Sequence, residues 1–197
     1  MIAVNVMHAD TILVQRAQAN DRAAFNEIVL RYKGKVFNYI SRMIHNPSDA
    51  EDLAQETFIR AYMSIHTFQS RASLNTWLFR IATNQCIDYS RRIKRSQIKI
   101  TSLAQEYEDQ EETEREIPDS TFDPQKLILN HELHEILDQA ILELPEKLRT
   151  IALLYDIEGL SYEEISGIVS CPLGTVKSRL FNARNALRQK LAPYLNV

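Results

Sequence analysis

The last part of the chain carries side chains suited to contacting a polyanion. From Gly174 to Val197 there are five basic residues and no acidic one. Lysine and arginine neutralise phosphates, while hydroxyl and amide groups can bond to phosphate oxygens and to base edges in a major groove. These residue types predict a duplex-DNA contact surface made of Thr175, Lys177, Ser178, Arg179, Phe181, Asn182 and Arg184.

A second basic stretch, 75–95, interleaves arginines with aromatic rings. Arginine neutralises phosphate, and aromatic rings and amides can hold an unstacked base, so this composition favours a surface for separated DNA strands. Two other interpretations stay open. Trp77, like its neighbour Leu78, fits plain core packing, and Arg91 with Arg92 fits a merely solvated helix face.

Four acidic residues, Asp49, Glu51, Asp52 and Glu56, occupy one short stretch. Carboxylates in such a group could serve catalysis or a metal. Several of them fall in the first turn of a predicted helix, however, where the helix dipole favours acids, and no histidine or cysteine completes a ligand set. We therefore expect a charged protein-docking surface here, with no catalytic residue, no metal site and no cofactor.

The elements that must position these residues are predicted to be helices. Four glycines and six prolines are few, and long stretches are rich in strong helix formers. From Thr11 to about Arg95 the apolar residues recur at helical spacing, with breaks near 20–21, 46–47 and 69–73. This pattern predicts about four helices in the first half of the chain.

Two capping boxes mark helix starts. Ser48 and Glu51 have the serine-x-x-glutamate spacing, which predicts a helix that begins at Pro47 or Ser48. Ser161 and Glu164 repeat the spacing and predict a second start.

The helix opened at Ser161 should end near Val169, because 170–174 contains a proline and a glycine and predicts a tight turn. A short helix, a tight turn and a longer helix make the spacing of a helix-turn-helix motif. An ordinary helical hairpin with a solvated basic face is the alternative. The apolar stripe of the longer helix comprises Leu173, Val176, Leu180, Ala183, Leu187 and Leu191.

Charge is strongly segregated along the chain, although the formal net charge is only -3. The segment 106–123 carries nine acidic residues against the lone Arg115. The surrounding stretch, 96–124, has little periodicity and abundant like charge, so it cannot bury enough apolar surface to offset the entropy of ordering. We expect an all-α protein with two small helical domains, 1–95 and 125–197, joined by a flexible acidic linker.

The chain shows no sign of membrane insertion or export. No stretch approaches the roughly 20 apolar residues of a membrane span, and the first residues lack a basic segment followed by a long apolar run. Cys86 and Cys171 stand far apart and belong to no metal-spaced pair, which favours reduced thiols. A cytoplasmic protein is expected.

With these elements in order, the chain resembles the extracytoplasmic-function sigma factors, close to the sigma-E type, over roughly Asp21 to Leu191. The motifs similar to that family's region 2 are Asp21 to Phe25, Asp49 to Phe58 and Thr76 to Ala82. Those similar to its region 4 are Leu144 to Glu146, Gly159 to Ile165 and Gly174 to Leu180. Each motif is modest, but the whole series at these separations is highly specific.

The resemblance implies a region 2 helical bundle and a region 4 helix-turn-helix domain. It implies two kinds of partner: core RNA polymerase, bound at the beta-prime clamp coiled coil and the beta flap, and promoter DNA. The acidic linker would thread the polymerase channel that later carries RNA. An anti-sigma factor, often membrane-anchored, and a stress or envelope-response regulon are also implied, for a factor that is not an enzyme.

The resemblance also assigns roles to individual residues. The docking residues would be Asp49, Asp52, Leu53, Gln55, Glu56 and Phe58. The residues at the minus 10 element would be Arg71, Trp77, Arg80, Asn84, Tyr89, Arg91 and Arg92, with Asn84 where related factors hold a flipped base. The helix from Thr175 would read the minus 35 element. Relatives carry arginine at the positions of Lys177 and Asn182, so the minus 35 sequence is expected to differ.

Two other classes of protein are compatible with parts of the sequence. An ordinary helix-turn-helix regulator would bind palindromic duplex DNA as a dimer, but it would not need the basic aromatic helix beside an acidic docking surface. A helical enzyme or phosphotransfer module could use the acids near Asp49 or one of the five histidines. Loss of polymerase binding on alanine substitution of Asp49 and Asp52 would separate docking from catalysis.

Overall fold

The computed structural model describes residues 2–70, 72–103 and 134–195. Within those ranges the chain is helical and contains no β-strand, which confirms the predicted all-α class. Arg71 and the segment 104–124, which is most of the predicted linker, lie outside the described residues.

The first half of the chain forms a bundle of four helices, as the apolar periodicity predicts. The second of them contacts the other three, and a 3₁₀ turn, Ile65–Thr67, follows the third. The four helices are α1 (Ile2–Gln18), α2 (Arg22–Met43), α3 (Pro47–Ser64) and α4 (Leu74–Leu103).

The bundle is held by the apolar faces of α2 and α4. Ile28 and Ile40 of α2 and Leu78 of α4 are fully buried. The Phe79 ring meets the Tyr39 ring edge-on, with 5.1 Å between centroids. Burying each large apolar side chain contributes roughly 1.5–3 kcal/mol, so the inner faces stabilise the bundle and the outer faces are left for binding.

Asn46, and not Ser48, caps the start of α3. Its side chain accepts hydrogen bonds from the backbone amides of Ser48 at 3.0 Å and Asp49 at 3.4 Å. The helix begins at Pro47 as predicted, but the predicted capping box of Ser48 and Glu51 is wrong. Proline has no N–H and a helical φ, so it favours the first helical position and leaves the cap to the residue before it.

The second half is also helical. The short α7, the tight turn and the long α8 have the helix-turn-helix arrangement that the sequence predicts. The helices are α5, of which 134–142 is described, α6 (Glu146–Ala152) with a π-helical continuation (Leu153–Ile157), α7 (Tyr162–Val169) and α8 (Leu173–Leu195).

The capping box that opens α7 is confirmed. The Glu164 amide donates to Ser161 Oγ at 3.2 Å, and the Ser161 amide donates to Glu164 Oε2 at 3.0 Å. Helix α7 ends at Val169, as predicted. The turn is shorter than the predicted 170–174, because α8 already begins at Leu173.

Helix α4 continues through Leu103, eight residues past the predicted end of the first domain at 95. The segment 96–103 contains no proline, no glycine and no acidic residue, so nothing in it stops a helix. The acidic run begins only at Glu106. The domain boundaries themselves stay a prediction.

The two halves pack against each other, with α7 against α4 and α6 against α2. The buried Arg149 of α6 donates to the main-chain carbonyl of Met43, at the end of α2, at 2.6 Å, and to that of Leu144 at 2.9 Å. Arg42 and Asp138 form an ion pair at 2.8 Å. Apolar residues from both halves therefore share one core.

Candidate nucleic-acid interface

Helix α8 divides its residues between a buried and an exposed face. Val176, Leu180 and Ala183 are buried against α6 and α7, as the predicted stripe requires. On the opposite face the Phe181 ring is 66% exposed. An aromatic ring exposed in this way is free to contact the methyl group of a thymine. The exposed residues, the α8 surface, are Lys177, Ser178, Phe181, Asn182 and Arg184.

Two further predicted DNA contacts, Thr175 and Arg179, lie half-buried at the edge of the α8 surface. The Thr175 carbonyl accepts from Ser178 Oγ at 3.1 Å, within the first turns of the helix. Arg179 Nη1 lies 3.9 Å from Cys171 Sγ, in the turn before α8. Both side chains are therefore next to the helix N-terminus, where backbone amides favour anions.

A stacked tyrosine pair lies beside the α8 surface and was not predicted. The rings of Tyr155 and Tyr162 are 4.8 Å apart. Lys177 Nζ lies 5.5 Å from the Tyr162 ring centre, and the Arg184 guanidinium lies 5.2 Å from that of Tyr155. Arg184 also pairs with Asp156, and this hydrogen bond raises the Arg184 pKa. These residues are far apart in sequence, so no local pattern indicates the cluster.

Four of the residues predicted at the minus 10 element are exposed along α4. One of them, Arg91, forms an ion pair with Asp88 at 3.3 Å on the same helix. Arg71 precedes α4 and lies outside the described residues. The exposed residues, the α4 surface, are Arg80, Asn84, Arg91 and Arg92.

Trp77 and Tyr89 are half-buried and make structural contacts. The Trp77 ring packs on Phe68, with centroids 5.0 Å apart. The Tyr89 hydroxyl donates to Asp49 Oδ2 at 2.5 Å and so ties α4 to α3. Desolvation, together with the bond to Asp49, raises the pKa of Tyr89 to about 12.

A cleft of about 650 Å³ opens beside the first turns of α4. Phe68, Trp77 and Arg80 line it from the first half of the chain, and Glu163 and Glu164 of α7 line it from the second. Asp10 of α1 also lines the first-half side, so aromatic rings with one cation and one acid face two acids of α7.

Helix α7 covers part of the N-terminal end of α4. Thr76 is buried, and its Oγ1 donates to Glu164 Oε1 at 2.6 Å. Burial opposes ionisation of Glu164, but the hydrogen bonds from Thr76 and Ser161 outweigh it and lower the Glu164 pKa. The carboxylate that completes the α7 capping box therefore also joins the two halves.

Helix α3 presents polar residues beside exposed apolar side chains. Asp52 and Gln55 are exposed and Glu56 is half-buried. Ile59 is 58% and Met63 76% exposed, and neither belongs to the predicted docking set. Apolar side chains one helical turn apart, next to acids, fit a protein-docking surface. The α3 surface is defined as Asp52, Gln55, Glu56, Ile59 and Met63.

Two residues of the predicted docking set lie in the core. Leu53 is 4% and Phe58 9% exposed, because they belong to the apolar stripe with which α3 faces the bundle. Asp49 is engaged by Tyr89. In this structure Leu53 and Phe58 hold α3 in place and offer little surface to a partner, and their docking role stays a prediction.

Within the described ranges, no group of histidine, cysteine, aspartate or glutamate side chains is arranged to hold a metal ion. No helix there is long and apolar enough to cross a bilayer. Cys86 is buried in the core, and burial raises the pKa of its thiol to about 12.

Two family models match the chain. Sigma-70 region 2 matches residues 28–96, which span most of α2, all of α3 and most of α4. Sigma-70, region 4 matches residues 134–187, which contain α7, the tight turn and most of α8.

Close relatives match along almost the whole chain. The RNA polymerase sigma-H factor of Pseudomonas aeruginosa is 37% identical over 188 residues, which are 94% of this chain and 95% of that protein. The ECF RNA polymerase sigma-E factor of Escherichia coli K12 is 38% identical over 190 residues, which are 94% of this chain and 96% of that protein.

Two solved structures share the fold. One is CnrH in complex with the cytosolic domain of CnrY, with a TM-score of 0.65 at 20% identity over 94% of this chain and 98% of that one. The other is the sigma factor RpoE in complex with the anti-sigma factor NepR from Bartonella quintana, with a TM-score of 0.65 at 24% identity over 88% and 98%. With both family models and near full-length relatives in agreement, this chain belongs to the extracytoplasmic-function sigma factors and is an RNA polymerase sigma factor of that type.

Proposed function

We propose that this sigma factor uses three separate surfaces to start transcription. The α8 surface reads the minus 35 element, the α4 surface engages the minus 10 element, and the α3 surface docks on core polymerase. The observation that carries the proposal is the form of α8. It follows a tight turn, buries one face in the core and exposes Lys177, Phe181 and Asn182 on the other, as does a helix that enters a major groove.

At the minus 35 element, Asn182 accepts and donates hydrogen bonds at an adenine edge, and Phe181 contacts a thymine methyl group. Lys177 and Arg184 supply positive charge to phosphates or guanine edges. Thr175, Ser178 and Arg179, near the amino end of α8, add contacts to the phosphates of the DNA backbone.

At the minus 10 element, Asn84 holds an unstacked base and the arginines of the α4 surface neutralise the phosphates beside it. Trp77 and Tyr89 are half-buried, and they support this surface through their contacts with Phe68 and Asp49. Arg71 completes the proposed set.

On the polymerase, the α3 surface meets the clamp coiled coil of the beta-prime subunit, and the second half meets the beta flap. Asp52 and Glu56 supply the charged contacts, Gln55 a polar one, and Met63 with Ile59 the apolar ones. Asp49, at the edge of this surface, adds a further charge. Leu53 and Phe58 support the helix from the core.

An anti-sigma factor completes the proposed partners, because two proteins with this fold were solved with CnrY and NepR bound. It would cover the polymerase-binding surfaces until released, and a membrane-anchored form would place that control at the envelope. The proposed site of action is the cytoplasm, and the protein acts there by binding without catalysing a reaction.

Run-off transcription with purified core polymerase tests the proposal, on a promoter panel bearing sigma-E-like elements. We expect transcripts from defined starts only when this protein is added. Asp52→Ala should weaken binding to core polymerase, whereas Glu51→Ala, an exposed acid on the same helix outside the α3 surface, should not. Binding to duplex DNA alone, with no affinity for core polymerase, would instead indicate an ordinary helix-turn-helix regulator.

A further inference from the structure

Two buried polar residues flank the exposed Asn84 on α4. Thr83 is 0% and Gln85 3% exposed, whereas the surrounding interior positions of the helix, such as Ala82 and Cys86, are apolar. Buried polar groups are costly unless they are hydrogen-bonded. Their partners therefore show what the two residues do.

Thr83 is bonded to α2. Its hydroxyl and the hydroxyl of Tyr39 share a hydrogen bond of 2.8 Å, deep in the bundle. The Tyr39 ring is in turn fixed edge-on against Phe79. This bond fixes which face of α4 packs against α2.

Gln85 is bonded to α3. In the amide orientation that satisfies its neighbours, Nε2 donates to the Leu53 carbonyl at 3.0 Å and Oε1 accepts from Arg60 Nε at 3.1 Å. Arg60 Nη2 donates to Glu56 Oε1 at 2.5 Å, on the α3 surface. This second anchor joins α4 to the helix that is proposed to dock on polymerase.

The two anchors lie on nearly opposite sides of α4. Successive residues of an α-helix are turned by about 100°, so Thr83 and Gln85 point roughly 200° apart with Asn84 between them. The hydrophobic effect is non-directional, so apolar burial by itself specifies the rotation of a helix less sharply than hydrogen bonds do. Hydrogen bonds are directional, so the bonds of Thr83 and Gln85 together restrict α4 to one orientation about its own axis.

We propose that Thr83 and Gln85 are positioning residues that fix the rotation of α4, so that Asn84 meets the flipped base of the minus 10 element at one angle. This inference rests on the base contact proposed above for Asn84. It assigns specificity at the minus 10 element to two side chains that the DNA does not touch.

The test measures selectivity in the complete holoenzyme. Promoters that differ only at the flipped-base position are transcribed by wild type and variants, and the readout is the ratio of initiation rates on the preferred and the substituted base. Thr83→Val and Gln85→Met keep the side-chain size but remove a hydrogen bond, and each should lower the ratio about three- to tenfold. Thr83→Ser retains the hydroxyl and should retain the ratio.

A buried control separates positioning from stability. Ile28→Val, on the buried face of α2, should reduce the melting temperature without changing the ratio. Affinity for core polymerase, measured in parallel, shows that each variant is folded.

A double variant shows whether Gln85 acts through Asn84. Asn84→Ala alone should abolish the selectivity for the preferred base, and adding Gln85→Met to it should not change the ratio of initiation rates further. If both anchor variants lower output equally on every promoter, so that the ratio is unchanged, Thr83 and Gln85 are structural and the inference is overturned. If Asn84→Ala itself leaves the ratio unchanged, the proposed base contact is wrong and the positioning role is overturned with it.

Discussion

Asn182 lies on the exposed face of α8. An arginine at this position would bind a guanine edge. Asparagine pairs best with the N6 and N7 edge of adenine, whereas arginine pairs with O6 and N7 of guanine, each for roughly 1–3 kcal/mol of discrimination. Asn182→Arg should therefore shift the preferred base at one minus 35 position from adenine to guanine. Run-off transcription on a library randomised in the minus 35 element measures the shift.

Gln189→Arg is the matched control for Asn182→Arg. It adds the same charge to an exposed position about two turns further along α8. The added positive charge attracts DNA phosphates whatever the sequence, so Gln189→Arg should raise transcription from all promoters alike and leave the base preference unchanged. An identical base preference in wild type and Asn182→Arg would show that Asn182 does not read a base.

Tyr89 links α4 to α3 through Asp49, and its pKa is raised from 10.0 to about 12 in the folded protein. The folded state therefore keeps this proton when the unfolded state has lost it. Stability from Tyr89 is complete below pH 10 and is lost as the pH rises from about 10 through 12. Tyr89→Phe should cost about 1 kcal/mol at neutral pH, and the difference from wild type should shrink across that window.

Denaturant unfolding at several pH values checks the Tyr89 prediction. The comparison with Tyr89→Phe isolates one residue, because the other tyrosines titrate equally in both proteins. A difference that stayed constant from neutral pH to pH 12 would mean that the hydroxyl makes no such bond.

The exposed residues of α8 could be predicted from the sequence, because Val176, Leu180 and Ala183 define the buried face and leave Phe181 and Asn182 opposite it. The same logic assigns Leu53 and Phe58 to the apolar stripe of α3, and both are buried against the bundle. The cluster of Tyr155 and Tyr162 with the α8 cations could not be predicted. Its members meet only when three elements are packed together.

At the scale of the helices, Asn46 is the cap of α3 and Ser48 is not. Asn46→Ala should lower the free energy of unfolding by about 1 kcal/mol, because two backbone amides lose their acceptor. Ser48→Ala, two residues further on, should change it little. Thermal or urea unfolding of the two variants distinguishes the alternatives, and equal losses would mean that the capping box of Ser48 also forms.

The start of α7 was easier to predict than the end of α4. The box of Ser161 and Glu164 is a specific chemical signal, and α7 begins where it indicates. The end of α4 has no such signal, since Ser96 to Leu103 lacks both proline and glycine and the helix continues to Leu103. Charge density alone is a weaker terminator than a residue that cannot continue the helix.

At the scale of the whole molecule, the sequence predicts two helical units but not how they meet. The bonds between the halves join residues about a hundred positions apart, such as Arg149 with Met43 and Thr76 with Glu164. No periodicity or motif reports such pairs. These bonds bear on the proposed function, because they hold α7 over Thr76 and against the cleft beside the α4 surface.

Because α7 covers the N-terminal end of α4 at Thr76, loosening the contact between the halves should uncover that end and widen access to the α4 surface next to it. Arg149→Met keeps the bulk of a buried side chain but removes the bonds to the Met43 and Leu144 carbonyls. A hydrogen bond from a charged donor contributes about 1.5–3 kcal/mol, so losing the one to Met43 favours separated halves at least about tenfold. Energy transfer between dyes on exposed positions of the two halves should fall, and the protein should bind a single-stranded minus 10 oligonucleotide more tightly. Lys147→Met removes a cation from an exposed position of the same helix and should change neither. If Arg149→Met left both measurements unchanged, the buried guanidinium would not be what holds the halves together.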